Sequence, residues 1–156
     1  MRVGLGFDAH AFSADPQRPL VLGGVAIADA PGLAGHSDAD VLAHAVADAL
    51  LGAAGLGDLG QHFPDTDAAW RDADSIDLLT RVAAMVAEAG WRVGNVDCAV
   101  VLEAPRLAPH RDEMQRRLSE AAGGTVTVRA KRTEGMGALG RGEGVACWAV
   151  ALVEEA

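Results

Sequence analysis

His36-Ser37-Asp38-Ala39-Asp40-Val41-Leu42-Ala43-His44 is the sharpest helix start in the chain. Ser37 is a natural N-cap, and Asp38 and Asp40 fall in the first turn, where carboxylates favour the helix dipole. The spacing predicts a helix from about Asp38 to Ala54, with Val41, Ala45, Leu50 and Leu51 on its apolar face and Gly55 and Gly57 as its stop. Upstream, Arg2 to Phe7 reads as an opening strand and Leu20 to Ile27 as a hairpin turned at Gly23-Gly24, followed by a loop through Pro31-Gly32. Downstream, a polar loop from Asp58 to Ala73 precedes a second helix, capped by Ser75 and ending near Ala89-Gly90. Arg92 to Leu102 is a Val-rich strand ended by Pro105, and a third helix runs from about Pro109 to Ala122, closed by Gly123-Gly124. Thr125 to Ala130 is a strand, Gly135 to Gly144 a glycine-dense loop and Val145 to Val153 the last strand. Alternating strands and helices, with a hairpin and a final strand pair, predict an α+β fold with a mixed sheet. There are no internal repeats or linkers, so residues 1–156 are expected to form one domain.

The chain has 156 residues, half of them apolar and 22% charged, which is enough to bury one core. Lys and Arg number 13 against 22 Asp and Glu, a formal net charge of −9. Such a surface repels a phosphate backbone at long range and argues against a nucleic-acid partner. A small polyanion is still admissible where metal ions or a few placed cations offset the local field. Cys98 and Cys147 lie in apolar runs without C-x-x-C spacing, as buried reduced thiols would. Asp8 and His10 interrupt any N-terminal signal segment, and Val145 to Val153, the longest apolar stretch, is far short of the ~20 residues a membrane span needs. A soluble, cytoplasmic protein with no membrane partner is the expectation.

Gly4-Leu5-Gly6-Phe7-Asp8-Ala9 formally satisfies G-x-G-x-x-[GA], but that fingerprint needs a helix at once, and Ser13, Asp15, Pro16 and Pro19 follow instead. Asp8 and His10 carry more. Two apart at a strand end, they point to one face, as a metal's ligands must. His44 sits mid-helix between Asp40 and Asp48 on one i, i+4 face, too polar for a core stripe, with either carboxylate available to orient it. One carboxylate and two imidazoles suit Zn²⁺, and three protein ligands leave the open position of a catalytic site. His62 and His110 have no such setting and read as surface residues.

His36-Ser37, at the helix's amino end, is an anion site or an ordinary cap. Asp65 and Asp67 flank Thr66 in a loop that is either a solvated turn or a lid that orders over a ligand. Ala130-Lys131-Arg132-Thr133-Glu134 offers two cations for phosphate and a carboxylate for a hard cation such as Mg²⁺, or is merely a charged strand end. Gly140-Arg141-Gly142-Glu143-Gly144 has no P-loop spacing. No Ser, Cys or Lys stands beside a base in nucleophile spacing. In a phosphate-transfer enzyme the nucleophile would then be water or part of the substrate.

Phe7-Asp8-Ala9-His10-Ala11-Phe12, His36-Ser37-Asp38-Ala39-Asp40-Val41 with His44, Gly57-Asp58-Leu59-Gly60, Phe63-Pro64-Asp65-Thr66-Asp67 and Gly140-Arg141-Gly142-Glu143-Gly144 together resemble the 2-C-methyl-D-erythritol 2,4-cyclodiphosphate synthase family. The resemblance covers essentially the whole chain in order. It implies a mixed four-stranded sheet with helices packed on one face plus an N-terminal hairpin, assembled as a homotrimer with active sites between subunits. It implies a lyase of the non-mevalonate isoprenoid route that converts 4-diphosphocytidyl-2-C-methyl-D-erythritol 2-phosphate to the cyclic diphosphate and CMP. By position, Asp8, His10 and His44 would bind one Zn²⁺ per subunit, and Glu134 would hold Mg²⁺ or Mn²⁺ with the substrate. His36 and Ser37 would meet a substrate phosphate, with His36 and Arg132 at the transition-state positions. Asp8, Ala9 and His10 would also contact substrate, Asp58, Leu59 and Gly60 would hold the erythritol portion, and Phe63, Pro64, Asp65, Thr66 and Asp67 would close over it. Ala104, Pro105, Arg106, Leu107 and Ala108, with Ala130, would line a neighbour's cytidine pocket beside Lys131, Arg132 and Thr133, and Arg141 and Glu143 would lie near the trimer axis.

Three positions depart from the family pattern. Lys131 and Arg132 stand where two threonines are usual. Ala138-Leu139 replaces phenylalanine-threonine before the Gly-Arg-Gly. Arg106 replaces a lysine, with the smaller Leu107-Ala108 after it. A guanidinium at Arg132 is able to grip phosphate bidentately, or it turns outward and leaves Thr133 facing the ligand. Two other readings of the same residues are a zinc-dependent phosphohydrolase and a trimeric binding module for nucleotides or isoprenoid diphosphates. The first would yield a linear phosphate and the second no turnover.

Overall fold

The computed structural model describes residues 1–156. In chain order its elements are β1 (Arg2–Ala11), β2 (Leu20–Leu22), β3 (Val25–Ile27), α1 (Val41–Ala54), α2 (Leu59–His62), α3 (Ser75–Glu88), β4 (Trp91–Val101), α4 (Arg111–Ala122), β5 (Thr125–Lys131), α5 (Gly137–Gly140) and β6 (Gly144–Glu155). Single 3₁₀ turns, Ala68–Trp70 and Ala108–His110, precede α3 and α4. The four long strands form one mixed sheet in the order β1-β6-β4-β5, and β2 and β3 form the separate hairpin. β6 is antiparallel to both β1 and β4, whereas β4 and β5 are parallel and joined through α4. This is the α+β fold with mixed four-stranded sheet and hairpin expected from the sequence.

Alternation along the strands sends Val96, Cys98 and Val100 of β4, Val126 and Val128 of β5, and Cys147, Ala149, Ala151 and Val153 of β6 to the helix-covered face. There they join the buried side of α1 in a continuous core of 35 residues. On β1 the same parity belongs to Gly4, Gly6, Asp8 and His10. Gly4 and Gly6 let α1 lie directly on the strand. A Cβ on Gly4 would stand 2.0 Å from the Ala49 carbonyl oxygen, and one on Gly6 would stand 1.9 Å from that of Ala45. The glycine pair that imitates a nucleotide fingerprint is therefore a helix-packing device, and no helix follows β1 until Val41. Because α1 runs antiparallel to β1, the pairings Gly4 with Ala49 and Gly6 with Ala45 continue to Asp8 beside His44.

The structure corrects the sequence reading at several places. The stretches read as loops, Asp58 to Ala73 and Gly135 to Gly144, carry the short helices α2 and α5, the ends of β4, β5 and β6 shift by one or two residues, and four boundaries differ for a clear reason. Ser37 is not the cap of α1. The chain turns through a left-handed Ala39 (φ 58°), so the helix starts later and Asp40 caps it, accepting from the Leu42 and Ala43 amides. The buried Asp40 carboxylate also accepts from Gly23 N at 2.8 Å and Gly24 N at 2.7 Å, which ties the hairpin turn to the helix start. Asp74, not Ser75, caps α3. The third long helix begins at Arg111 because Pro109 lies in the 3₁₀ turn, where a missing N–H costs nothing. The first strand extends to Ala11, four residues past Phe7, because β6 pairs with it to the end.

The contact at Gly6 sets an expected outcome. Gly6→Ala forces helix and strand apart, costing about 3 kcal/mol of stability and misaligning Asp8 and His44. A lower urea midpoint together with lost metal binding is the expected pair of results, and wild-type values for both would refute the packing argument.

Candidate metal centre and cleft

The end of β1 and the first turn of α1 bring Asp8, His10 and His44 together, so that one donor atom from each lies within 4.8 Å of the others. Asp8 Oδ2 is 3.1 Å from His10 Nε2 and 3.0 Å from His44 Nδ1. The imidazoles meet edge to face with centroids 5.9 Å apart. His10 Nδ1 lies 2.7 Å from the Ala34 carbonyl oxygen. A carbonyl only accepts, so the ring proton sits on Nδ1 and Nε2 is left for a metal. Side-chain exposures of 23% for Asp8, 24% for His10 and 12% for His44 leave the group half open. Burial alone would raise the Asp8 carboxyl, but its bonds to His10 and His44 outweigh that and hold it far below the usual carboxylate range. The same contact, against burial, raises His10. An oxygen and two imidazole nitrogens converging from one side fit a divalent transition metal.

Neither carboxylate expected to orient His44 reaches it. Asp40 is occupied as the helix cap, and Asp48 accepts the Leu59 amide at 2.7 Å. Instead His44 Nε2 meets Ser75 Oγ at 2.8 Å and Ser37 Oγ at 3.3 Å, and the Ser75 hydroxyl in turn donates to Asp38. This contact crosses 31 residues of sequence, and no local pattern announces it.

The triad opens into a cleft of about 440 Å³. Among the residues singled out from sequence, His36, Ser37, Leu59, Gly60, Phe63, Pro64 and Asp65 line it with the triad. Asp58 is behind them as the cap of α2, and Asp67 caps the following turn. His36 Nε2 lies 3.0 Å from the Asp67 carbonyl oxygen, and Asp72 N donates to the His36 carbonyl at 2.9 Å, so the loop through Asp67 and Asp72 is tied to the segment bearing His36 and Ser37. Ala9 points to the opposite face of β1. Asp48, Trp70 and Leu78 line the cleft as well. Trp70 stands edge-on to Phe63 at 4.9 Å, a partnership that loop composition does not reveal. Arg18 is a further supporting residue the sequence reading missed. Its guanidinium donates to the Leu33 carbonyl at 2.8 Å, the Gly35 carbonyl at 3.2 Å and the Ser37 carbonyl, and so shapes the loop that presents His36.

The remaining predicted residues lie elsewhere. Pro105, Arg106, Leu107, Ala108, Ala130, Lys131 and Arg132 line a second cleft of about 180 Å³, with Ala104 beside it, joined to Pro105 by a cis peptide bond. Arg132 holds Glu103 there with Nε at 2.9 Å and Nη2 at 2.8 Å, and the contact lowers the Glu103 carboxyl. Thr133 N donates to the same carboxylate at 3.1 Å. Glu134 lines neither cleft and takes a left-handed backbone (φ 55°). Arg141 pairs with Glu143 at 2.6 Å on the surface. Of the two histidines read as surface residues, both are half-buried, and His62 bonds the Leu56 carbonyl at 2.7 Å. Both cysteines are free and buried.

A metal entering the triad must displace the proton that Asp8 helps His10 retain, so binding is proton-linked. Metal affinity is expected to climb about tenfold per pH unit below the raised His10 titration and to flatten above it. Chelator competition at several pH values reads this, and a pH-independent affinity would contradict it. His10→Ala or His44→Ala should lose the ion while circular dichroism stays native.

The sequence matches the YgbB family over residues 1–154. It is 58% identical to the 2-C-methyl-D-erythritol 2,4-cyclodiphosphate synthase of Rubrobacter xylanophilus, covering 99% of this chain and 96% of the relative. Its identity to the synthase of Salinibacter ruber is 55% over the full length of both. Among solved structures, a 2C-methyl-D-erythritol-2,4-cyclodiphosphate synthase in a CDP-bound form superposes with a TM-score of 0.87 at 35% identity, over 98% of this chain and all of the other. An IspF of Plasmodium falciparum solved as a CDP complex superposes at 0.85 with 28% identity, over 99% and 96%. The strand-end Asp8 and His10, the helix-borne His44 and the cleft they open are thus set in a chain that belongs to the YgbB family, the family of the 2-C-methyl-D-erythritol 2,4-cyclodiphosphate synthases.

Proposed function

We propose that the chain closes a ring within one substrate, 4-diphosphocytidyl-2-C-methyl-D-erythritol 2-phosphate. An oxygen of the 2-phosphate bonds to the β-phosphorus, the bond from that phosphorus to the bridging oxygen breaks, and CMP departs carrying the bridging oxygen. The observation that carries this reading is the Asp8–His10–His44 triad facing the same cleft as His36 and Ser37, with no cysteine or lysine in the lining and with the serine hydroxyl nearest His44, that of Ser75, donating its proton to Asp38. The nucleophile belongs to the substrate, and holding it next to its target replaces a bimolecular encounter with an internal one. Zn²⁺ is the ion that the donor set suits, and when bound it supplies positive charge to phosphate oxygen. Ser37 offers its hydroxyl to a phosphate. His36, held by Asp67, takes a place beside the charge that develops on the reacting phosphates. Gly60 offers its backbone amide and Leu59 its apolar side chain to the erythritol portion, Asp58 offers its carboxylate to the diol, and the Phe63–Asp67 segment shuts out water. Glu134 would hold Mg²⁺ or Mn²⁺ with the diphosphate, and the Ala104–Ala108 loop with Ala130 would receive the cytidine of a substrate bound mainly to a neighbour.

The working assembly is a homotrimer. Supporting this is the face of the sheet that no helix covers, where Val3 and Leu5 (each 67% exposed), Phe7 (49%), Trp148 (41%) and Val150 (46%) form a continuous apolar surface. Phe7 and Trp148 already pack against each other, ring centroids 4.9 Å apart and planes tilted by 49°. Such a patch marks an interface. Separation of the two clefts within one chain supports sites completed by a neighbour, with Arg141 and Glu143 near the axis. No helix is long and apolar enough to cross a membrane. Two buried free thiols suit the cytoplasm.

A ³¹P NMR time course with the cytidylyl substrate tests the reaction. Cyclic diphosphate and CMP are expected. A linear phosphate would instead identify a phosphohydrolase, and an unchanged spectrum a binding protein. Glu134→Gln keeps the shape and loses the charge, so it should retain zinc and need more Mg²⁺. An overlaid Mg²⁺ titration would remove Glu134 from the ligand set. Arg132→Thr should lower turnover by about ten- to a hundredfold, the range of a charge-assisted contact made in the transition state. Unchanged turnover would show that the guanidinium serves Glu103 alone.

A further inference from the structure

His44 uses both ring nitrogens. Nδ1 faces Asp8 and the metal position, while Nε2 faces Ser75 Oγ at 2.8 Å. Ser75 is 1% exposed, and its hydroxyl has a single proton. Asp38 accepts that proton through Oδ1 and also accepts the Ser75 amide through Oδ2 at 3.0 Å. The Asp40 amide also donates to Oδ1 at 3.1 Å, and the Asp38 amide donates to the Ala73 carbonyl at 3.2 Å, so both the carboxylate and its backbone are held. With its proton committed to Asp38, Ser75 Oγ has only lone pairs for His44, and the imidazole must carry its hydrogen on Nε2. Nδ1, 3.0 Å from Asp8 Oδ2, is then the nitrogen whose lone pair a metal beside Asp8 takes up. Ser37 Oγ, at 3.3 Å from Nε2, already accepts the Ala39 amide at 3.2 Å and is the weaker partner.

We infer that Asp38 and Ser75 are positioning residues that fix the Nε2–H tautomer of His44 and so prepare Nδ1 as a metal ligand, an inference that rests on the proposed metal site. The relay runs His44 Nε2–H to Ser75 Oγ–H to the Asp38 carboxylate, the arrangement by which an outer carboxylate raises a ligand's basicity and sets its ring orientation. Its geometry has a second consequence. Ser75 is the first residue of α3 and directly follows the loop that bounds the cleft, so the order of that junction and the strength of metal binding are linked through one hydroxyl. The sister ligand His10 has a simpler arrangement, its Nδ1–H held by the Ala34 carbonyl. The two imidazoles therefore present opposite nitrogens to the ion, and each is fixed by its own acceptor.

The test uses the full-length protein stripped of metal and then titrated with Zn²⁺ against a chelator of known affinity. Ser75→Ala, which removes only the hydroxyl, should weaken Zn²⁺ binding by about ten- to a hundredfold, and Asp38→Asn should weaken it in the same direction. Ser37→Ala should stay within about threefold of wild type. Long-range ¹H–¹⁵N NMR of the zinc-loaded protein should show the His44 proton on Nε2 in wild type. In Ser75→Ala the ring should be free to rotate or to present the other nitrogen. A structural role for Ser75 would lower the thermal midpoint of the metal-free protein without moving the tautomer signal. Zn²⁺ affinity and tautomer unchanged in a natively folded Ser75→Ala would overturn the relay. Failure of the wild type to bind Zn²⁺ at all would overturn the metal site itself, and the relay with it.

Discussion

The whole arrangement depends on a backbone contact. Gly4 and Gly6 have no side chains, so the carbonyls of Ala49 and Ala45 come down onto β1 where a single Cβ would collide. That closeness has two consequences. It seals the core over the edge of the sheet with α1, almost all of whose residues are buried. It also sets the registry between strand and helix, so the next inward positions of β1, Asp8 and His10, arrive at the first turn of α1 where His44 stands. A helix spaced by ordinary side chains would stand farther from the strand, and the three donor atoms would not share a 4.8 Å neighbourhood. The candidate metal centre is thus a by-product of close packing carried one step past the glycines.

A chain of net charge −9 is an unlikely host for a substrate with three phosphates, and the structure shows where much of that charge is spent. Asp40 holds four backbone N–H groups, Asp48 holds Leu59, Asp58 holds Gln61, Asp67 holds Ala69 and Asp74 holds Ile76. Each of these carboxylates faces the positive end of a peptide dipole. Glu113, pulled down to about 2 by Arg116 and Arg117, is likewise neutralised on the outer surface of α4. The cleft itself is lined by three histidines, one serine and a set of apolar and aromatic side chains, with Asp8, Asp48 and Asp65 as its carboxylates. In the proposed function, local charge for the phosphates would come from bound metal ions and from the arginine-bearing second cleft.

Much of this was legible in the sequence because short-range patterns encode it. Period-two alternation placed Asp8 and His10 together, the glycine pair at 23 and 24 marked the hairpin, and helical spacing put His44 on a polar face. The motif blocks pointed to the family, which the comparisons bear out. What was hidden is what long-range contact decides. The cap of α1 fell to Asp40 instead of Ser37 because the hairpin amides of Gly23 and Gly24 reach the same carboxylate. The partner of His44 proved to be Ser75, delivered by α3 from across a loop. Arg18, which ties three carbonyls of the loop bearing His36, has no signature beyond being an arginine before a proline. Gly4 and Gly6 were correctly refused as a nucleotide motif, yet only the position of α1 explains why they are glycines.

The central claim, that packing α1 on β1 builds a three-ligand metal site of one carboxylate and two imidazoles, is tested most directly by zinc K-edge X-ray absorption on the metal-loaded protein. One zinc per chain is expected, with a first shell of nitrogen and oxygen at ~2.0–2.1 Å and the outer-shell scattering of two imidazole rings. A sulfur shell at ~2.3 Å, scattering from fewer than two imidazoles, or no bound zinc would contradict the account.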